Sequence, residues 1–140
     1  MLPFLIILWT AVLHPLAPAA SVQVTITGIE APQSGPLYVL LWKDDTGFPT
    51  EPDAAAHRQR IDARGSTGTA TLTDIPNGTY AISVWQDLND NGEADRNFIG
   101  MPKEPVGLLN LNGLGRPSFK KSSIALTGGD HRVSIKLLNQ

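Results

Sequence analysis

From Ser21 onward the apolar residues of this chain fall into short runs, several with a spacing of two, each cut off by glycine, proline or asparagine. A spacing of two puts side chains on alternate faces of an extended strand, whereas an amphipathic helix needs a spacing of three to four. Ser21 to Ile29 alternates Val22, Val24 and Ile26 against Gln23, Thr25 and Thr27, a strand with one buried face. Pro36 to Lys43 and Thr79 to Gln86 are apolar on both faces and read as central strands whose second face is covered. Gly68 to Ile75 is a strand with Ala70 and Leu72 on one side, and His57 to Ala63 a weaker one. Ser122 to Thr127 and His131 to Leu138 read as a closing pair around Gly128-Gly129. Glycine (13) and proline (11) are plentiful enough to supply the turns.

About seven such strands, with no convincing helix, predict an all-β, immunoglobulin-like antiparallel β-sandwich. Asp44 to Ala56 is acidic and proline-containing, a loop with room for one helical turn at Ala54 to Ala56. Pro76-Asn77-Gly78 is a turn. Tyr80 follows it and stands either at a tyrosine-corner position or as an ordinary core tyrosine. The exception to the hairpin rhythm is Asn97 to Phe119, with four glycines and three prolines yet rich in leucine. It is too broken for a helix and too apolar for a solvated loop. It is expected to lie as a long apolar loop over the second face of the sheet carrying Trp42 and Trp85, as a structural lid.

Residues 1–19 read as an export leader. Leu2 to Leu13 is almost wholly apolar, and no charged side chain precedes Glu30. That run is shorter than the roughly 20 apolar residues a spanning helix needs. Ala17-Pro18-Ala19 suits cleavage after Ala19, with Ala20 as the alternative, although the leader carries no Lys or Arg. An uncleaved anchor is the competing reading. Cleavage leaves residues 20–140 as a single β-sandwich domain, periplasmic or secreted, with no membrane span. The chain has no cysteine, which excludes a disulfide scaffold, a cysteine-bound zinc and a thiol nucleophile. A net charge of −2 argues against nucleic-acid binding.

The acidic stretch Asp87 to Asp95, DLNDNGEAD, is the one constellation with chemistry. Oxygen-bearing residues fall at alternate positions, Asp87, Asn89 and Asn91, followed by Gly92, the backbone carbonyl of Glu93, and Asp95. A hard cation such as calcium takes six to eight oxygens at about 2.3–2.6 Å, so the loop must coil around it, and glycine permits the sharp turn. These five residues are the candidate calcium ligands. Phe98 stands where a helix–loop–helix calcium site has its bidentate glutamate, so another part of the fold must supply that ligand. The competing reading is a plain hairpin turn, which Asn91-Gly92 alone would provide. Charge partition favours a cation: residues 21–95 hold four basic and eleven acidic groups, residues 96–140 seven basic and two acidic. Four of the acids lie between Asp87 and Asp95 with no base among them, and unpaired they repel one another.

Catalytic templates are absent or weak. The chain has no GxSxG elbow, P-loop or HExxH motif. His57 and His131 read as exposed strand-edge residues, and no nucleophile is placed beside either. Trp42 and Trp85 could form a sugar-stacking platform if their face were open.

Taken together, VTITGI (Val24 to Ile29), Gly47-Phe48-Pro49, IPNGTYAI (Ile75 to Ile82), QDLNDNGEAD (Gln86 to Asp95), NFIGMPKE (Asn97 to Glu104), RPSF (Arg116 to Phe119) and VSIKL (Val133 to Leu137) resemble an uncharacterised bacterial exported family, domain of unknown function 2141. The resemblance runs over about residues 22–138. Two departures stand out: the family commonly has histidine where Gln86 stands, and a GFSNN-like stretch where this chain has GLLNLNG (Gly107 to Gly113). The resemblance implies export, a β-sandwich and an acidic loop, and no reaction. Such a sandwich is also similar, at the level of fold, to prealbumin-like and carboxypeptidase-regulatory-like modules. The expected function is an exported, non-catalytic binding or accessory module stabilised by calcium, with a protein or glycan partner. The alternative is a small carbohydrate-binding domain or hydrolase using a cleft under the 97–119 loop.

Overall fold

The computed structural model describes residues 11–13, 16, 18–30, 35–113 and 115–139. Most of the expected leader lies outside the described residues. Eight strands follow in order: β1 (Ala20–Thr27), β2 (Pro36–Trp42), β3 (His57–Asp62), β4 (Thr67–Ile75), β5 (Gly78–Gln86), β6 (Val106–Leu108), β7 (Ser123–Leu126) and β8 (Gly129–Lys136). The only helical element among the described residues is a 3₁₀ turn at Pro52–Ala54, inside the loop where one helical turn is expected.

The strands form two sheets in a sandwich-like arrangement. One holds β4-β1-β8, the other β3-β2-β5-β6, with β7 also paired to β5. Strand β5 is long enough to serve two partners on one edge: Gly78 to Ala81 pairs with β7, and Ser83 to Trp85 with β6. Strand β6 lies within the segment expected to be a lid, and raises the strand number to eight. The first and last strands, β1 and β8, run parallel. A parallel pair needs a long connection, and here the connection is the rest of the domain.

The expected closing pair around Gly128-Gly129 is not a hairpin. Strand β7 joins β5 while β8 joins β1, so the chain crosses from one sheet to the other at these glycines. The reason is burial: Leu126 and Ile135 both fill the space between the sheets, at 0% and 1% exposure. The two strands thus close the core from opposite sheets.

The alternating faces seen in the sequence meet in that core. Val22, Val24 and Ile26 of β1 pack against Leu37, Val39 and Leu41 of β2 and Tyr80, Ile82 and Val84 of β5. Tyr80 also donates its hydroxyl to the Pro76 carbonyl at 2.8 Å, the tyrosine-corner bond, which braces the turn into β5. The opposite face of β2 and β5 carries a second cluster of Tyr38, Leu40, Trp42, Ala81 and Trp85. This explains why both strands are apolar on both sides.

The cover of that second face differs from expectation. Segment 97–119 contributes Val106 and Phe119, but Phe48 and Ala55 come from the 44–56 loop and Ala94 from the acidic loop. Trp42 lies edge-on to Phe48, which lies edge-on to Phe119. The middle of the segment turns inward, so that Leu109 reaches the inter-sheet core. Its first residues turn outward, leaving Phe98 wholly exposed. No helix of the described residues is long and apolar enough to cross a membrane.

Candidate functional site

The acidic loop leaves the end of β5, the strand paired on both edges, and its first residue is the most firmly held. Asp87 is fully buried, and its N–H donates to the Pro36 carbonyl at 2.9 Å. Its carboxylate accepts the N–H groups of Asn91 at 3.2 Å and Gly92 at 2.7 Å, which curls the chain back over it. Gly92 has φ +77, a left-handed conformation in which its Cβ-free backbone is an advantage.

The remaining candidates close on one another. The Asn89 amide donates to Asp95 at 2.7 Å, and the Asn91 amide to both Asp95 oxygens at 3.2 and 3.1 Å. Glu93 enters the network through its N–H, which donates to Asn91 Oδ1 at 3.0 Å. The structure therefore brings Asn89, Asn91 and Asp95 together at the loop surface, with Asp87 beneath them. Among the described residues no group of three or more His, Cys, Asp or Glu is arranged to hold a metal ion. A cation here would rely on the asparagine oxygens and would compete with the amide N–H groups for Asp95. The donor types, all oxygen, suit a hard cation.

The mutual repulsion expected among the four acids is answered largely by the protein itself. Asp87 accepts backbone N–H donors and Asp95 two side-chain amides. Asp90 faces Arg60 at 3.7 Å. Arg58 donates to the Gly92 carbonyl at 3.4 Å while its guanidinium lies over the Tyr38 ring at 4.2 Å. The bases that the loop lacks in sequence arrive from β3, a neighbour only in space.

Two buried polar residues lie beside the loop: Gln86, a departure from the family pattern, and Glu104, which is not among the candidate ligands. Gln86 pairs with the Glu30 backbone through both ends of its amide, at 2.9 and 2.6 Å. Glu104 is 5% exposed and accepts three hydrogen bonds: Trp85 Nε1 at 2.8 Å, Leu88 N at 3.0 Å and Asp95 N at 3.2 Å. Burial raises its carboxyl above the ordinary 4.5, against the lowering effect of these donors, and nearby Asp87 adds to the rise. Its signal in the sequence is that it is the lone acid between Arg96 and Lys121, in a segment otherwise basic and apolar. It is a carboxylate brought to the loop from another part of the fold, and its oxygens brace N–H groups.

Beside the loop, the outer face of the second sheet opens into an apolar groove of ≈870 Å³ between the 44–56 loop, the acidic loop and segment 97–119. Trp85 and Glu104 reach its floor, and Arg96 and Arg116 its rim. Trp42 does not line it, and Trp85 does so while almost wholly covered. Trp42 is fully buried with its Nε1 donating to Ser83 Oγ at 2.9 Å, and Trp85 is 3% exposed and stacked on Tyr38 at 4.5 Å. His57 begins the edge strand β3 and lies edge-on to Tyr80, and His131 sits on β8 beside Thr127. Both are at sheet edges, as expected, but half-buried.

These features define a class: an all-β sandwich that carries, at the mouth of a central strand, an acidic asparagine-rich loop braced by a buried glutamate. Residues 24–134 match the family model described as "Uncharacterized protein conserved in bacteria (DUF2141)", and the chain belongs to that family. No curated protein and no solved structure matches the chain.

Proposed function

We propose that this protein is an exported, non-catalytic binding or accessory module of the periplasm or cell exterior, whose 87–95 loop is organised by calcium. The supporting observation is the convergence of Asp87, Asn89, Asn91 and Asp95, oxygen-bearing side chains at alternate positions, with the buried carboxylate of Glu104 behind them. Rotation of the two asparagine amides exchanges their N–H groups for oxygens and turns an amide–carboxylate cluster into an oxygen cage, at the cost of the bonds that Asn89 Oδ1 and Asn91 Oδ1 accept from Asn91 N and Glu93 N. The Glu93 carbonyl completes the proposed set. Metal-free, the amide hydrogens and Arg58 hold the loop closed. Calorimetric titration of residues 20–140 with calcium is expected to give one site, with Kd in the ~10⁻⁴–10⁻³ M range of extracellular modules. Asp95→Ala is expected to abolish it, and magnesium to produce no comparable heat. The absence of saturable calcium heat at millimolar concentration would leave the loop as a turn.

The alternative, a small carbohydrate-binding domain or hydrolase, has the groove in its favour. The covered rings of Trp42 and Trp85 weigh against a sugar, which needs an open aromatic face.

A further inference from the structure

The turn at residues 96–103 presents apolar side chains to solvent that the fold does not use. Phe98 is 100% exposed, Ile99 68% and Met101 47%. Apart from Val12, Leu13 and Leu16 near the start of the chain, these are the exposed large apolar side chains among the described residues. Isolated exposed apolar residues need no explanation, but three on one tip do.

The backbone of this tip is satisfied from within. Asn97 N donates to the Met101 carbonyl at 2.9 Å, and Gly100 N to the Asn97 carbonyl at 3.0 Å. Asn97 Oδ1 accepts the N–H groups of Ile99 and Met101, both at 3.0 Å. The Arg96–Pro102 bridge closes the base, and the Arg96 guanidinium donates to the Thr50 carbonyl, fixing the turn to the neighbouring loop. Four of the tip's N–H groups therefore need no water, which is the condition for entering an apolar phase. Within its own segment the charge is largely of one sign, whereas the flanking 44–56 and 87–95 loops are acidic. Between Arg96 and Lys121 the chain holds five bases and one acid, and that acid, Glu104, is buried. Arg96, Met101 and Arg116 line one groove, so both arginines stand beside the tip, and Lys103 follows it. No ion pair of the described residues engages Arg96, Lys103 or Arg116. The adjacent Asp95 carboxylate is turned to the Asn89 and Asn91 amides.

We propose that the 96–103 turn is an interfacial anchor: Phe98, Ile99 and Met101 enter the surface of an anionic phospholipid bilayer, with Arg96, Lys103 and Arg116 at the level of the headgroups. An apolar insertion combined with a basic rim is the two-signal arrangement that peripheral membrane binding requires. A protein partner fits less well, because a three-residue tip falls far short of the roughly 800 Å² per side of a stable interface. The proposal does not depend on calcium, and its test is run in EDTA.

Residues 20–140, which carry all eight strands, are floated with vesicles of equal parts phosphatidylglycerol and phosphatidylcholine, and with phosphatidylcholine alone. The protein is expected to float with the anionic vesicles and to remain below with the neutral ones. Phe98→Ala with Ile99→Ala should weaken partition at least about tenfold, since each side chain loses its burial. Lys103→Glu and Arg116→Glu should each weaken it about fivefold or more. Because the chain lacks cysteine, Phe98→Cys takes a single environment-sensitive fluorophore, whose emission should shift to the blue on adding anionic vesicles. No flotation with anionic vesicles, equal flotation with neutral ones, or a label at position 98 that stays in water overturns the proposal. So does self-association of the free protein that Phe98→Ala and Ile99→Ala abolish, which would make the tip a contact between copies.

Discussion

Glu104 shows how one buried carboxylate holds the acidic loop to the sheet. Its three N–H donors come from the end of β5, the first turn of the loop and the loop's last aspartate. Glutamine keeps the shape but cannot accept from Leu88 N with its amide nitrogen. Glu104→Gln is therefore expected to cost about 1–3 kcal/mol at neutral pH, measured by denaturant unfolding in EDTA. The same substitution should change the pH profile. Because burial holds the folded-state carboxyl above 4.5, the folded chain keeps this proton to higher pH than the unfolded chain does. Stability from this group is full below pH 4.5 and falls as pH rises through the folded-state value. The glutamine variant should lack that fall. Asp87→Ala removes the acceptor for Asn91 N and Gly92 N and should cost about 1–3 kcal/mol even without metal. A cost seen only in calcium would mean that the curl depends on the ion. The spacing of Asp87, Asn89, Asn91 and Asp95 was legible from the sequence because the loop is local. Glu104, Arg58 and Arg60 were not, since their approach is set by how β3 and segment 97–119 pack.

Among the elements, β6 is the piece that periodicity missed. Three residues are too few to show a spacing of two, and Pro105 and Gly107 disguise them as loop. Gly107 is there for a steric reason: a Cβ at this position would lie 2.6 Å from the Lys136 carbonyl, where β6 passes the end of β8. Gly107→Ala must push the two strands apart, at a cost of about 1–3 kcal/mol in unfolding free energy. An unchanged midpoint would show that β6 is free to move. Strands β1, β2, β4 and β5 were readable within a residue or two, because their faces alternate or are doubly apolar over seven residues or more. The pairing of β7 with β5 rather than with β8 was not readable, because the Gly128-Gly129 turn looks the same in a hairpin and in a sheet-to-sheet crossing. The double apolarity of β2 and β5 correctly signalled a covered second face. The identity of the cover was divided among three loops, and no single segment shows that in sequence.

For the molecule as a whole, the two sheets supply rigidity and one end of the sandwich supplies the chemistry. The acidic loop, the apolar groove and the exposed tip all flank the second sheet where β5 and β6 end, while the β4-β1-β8 sheet carries none of them. A ligand that binds only the folded state at 100 times its Kd adds about 2.7 kcal/mol. For a domain of this size that corresponds to a rise in melting temperature of about 10 °C. The most direct measurement is a thermal melt of residues 20–140 in EDTA and in a calcium series to about 10 mM, near 100 times a Kd of ~10⁻⁴ M, with magnesium as control. The account predicts a calcium-specific rise that Asp95→Ala abolishes, each protein being compared with its own EDTA melt. A melt indifferent to calcium, or one that magnesium raises equally, would contradict it and leave Asp87 to Asp95 a self-sufficient turn.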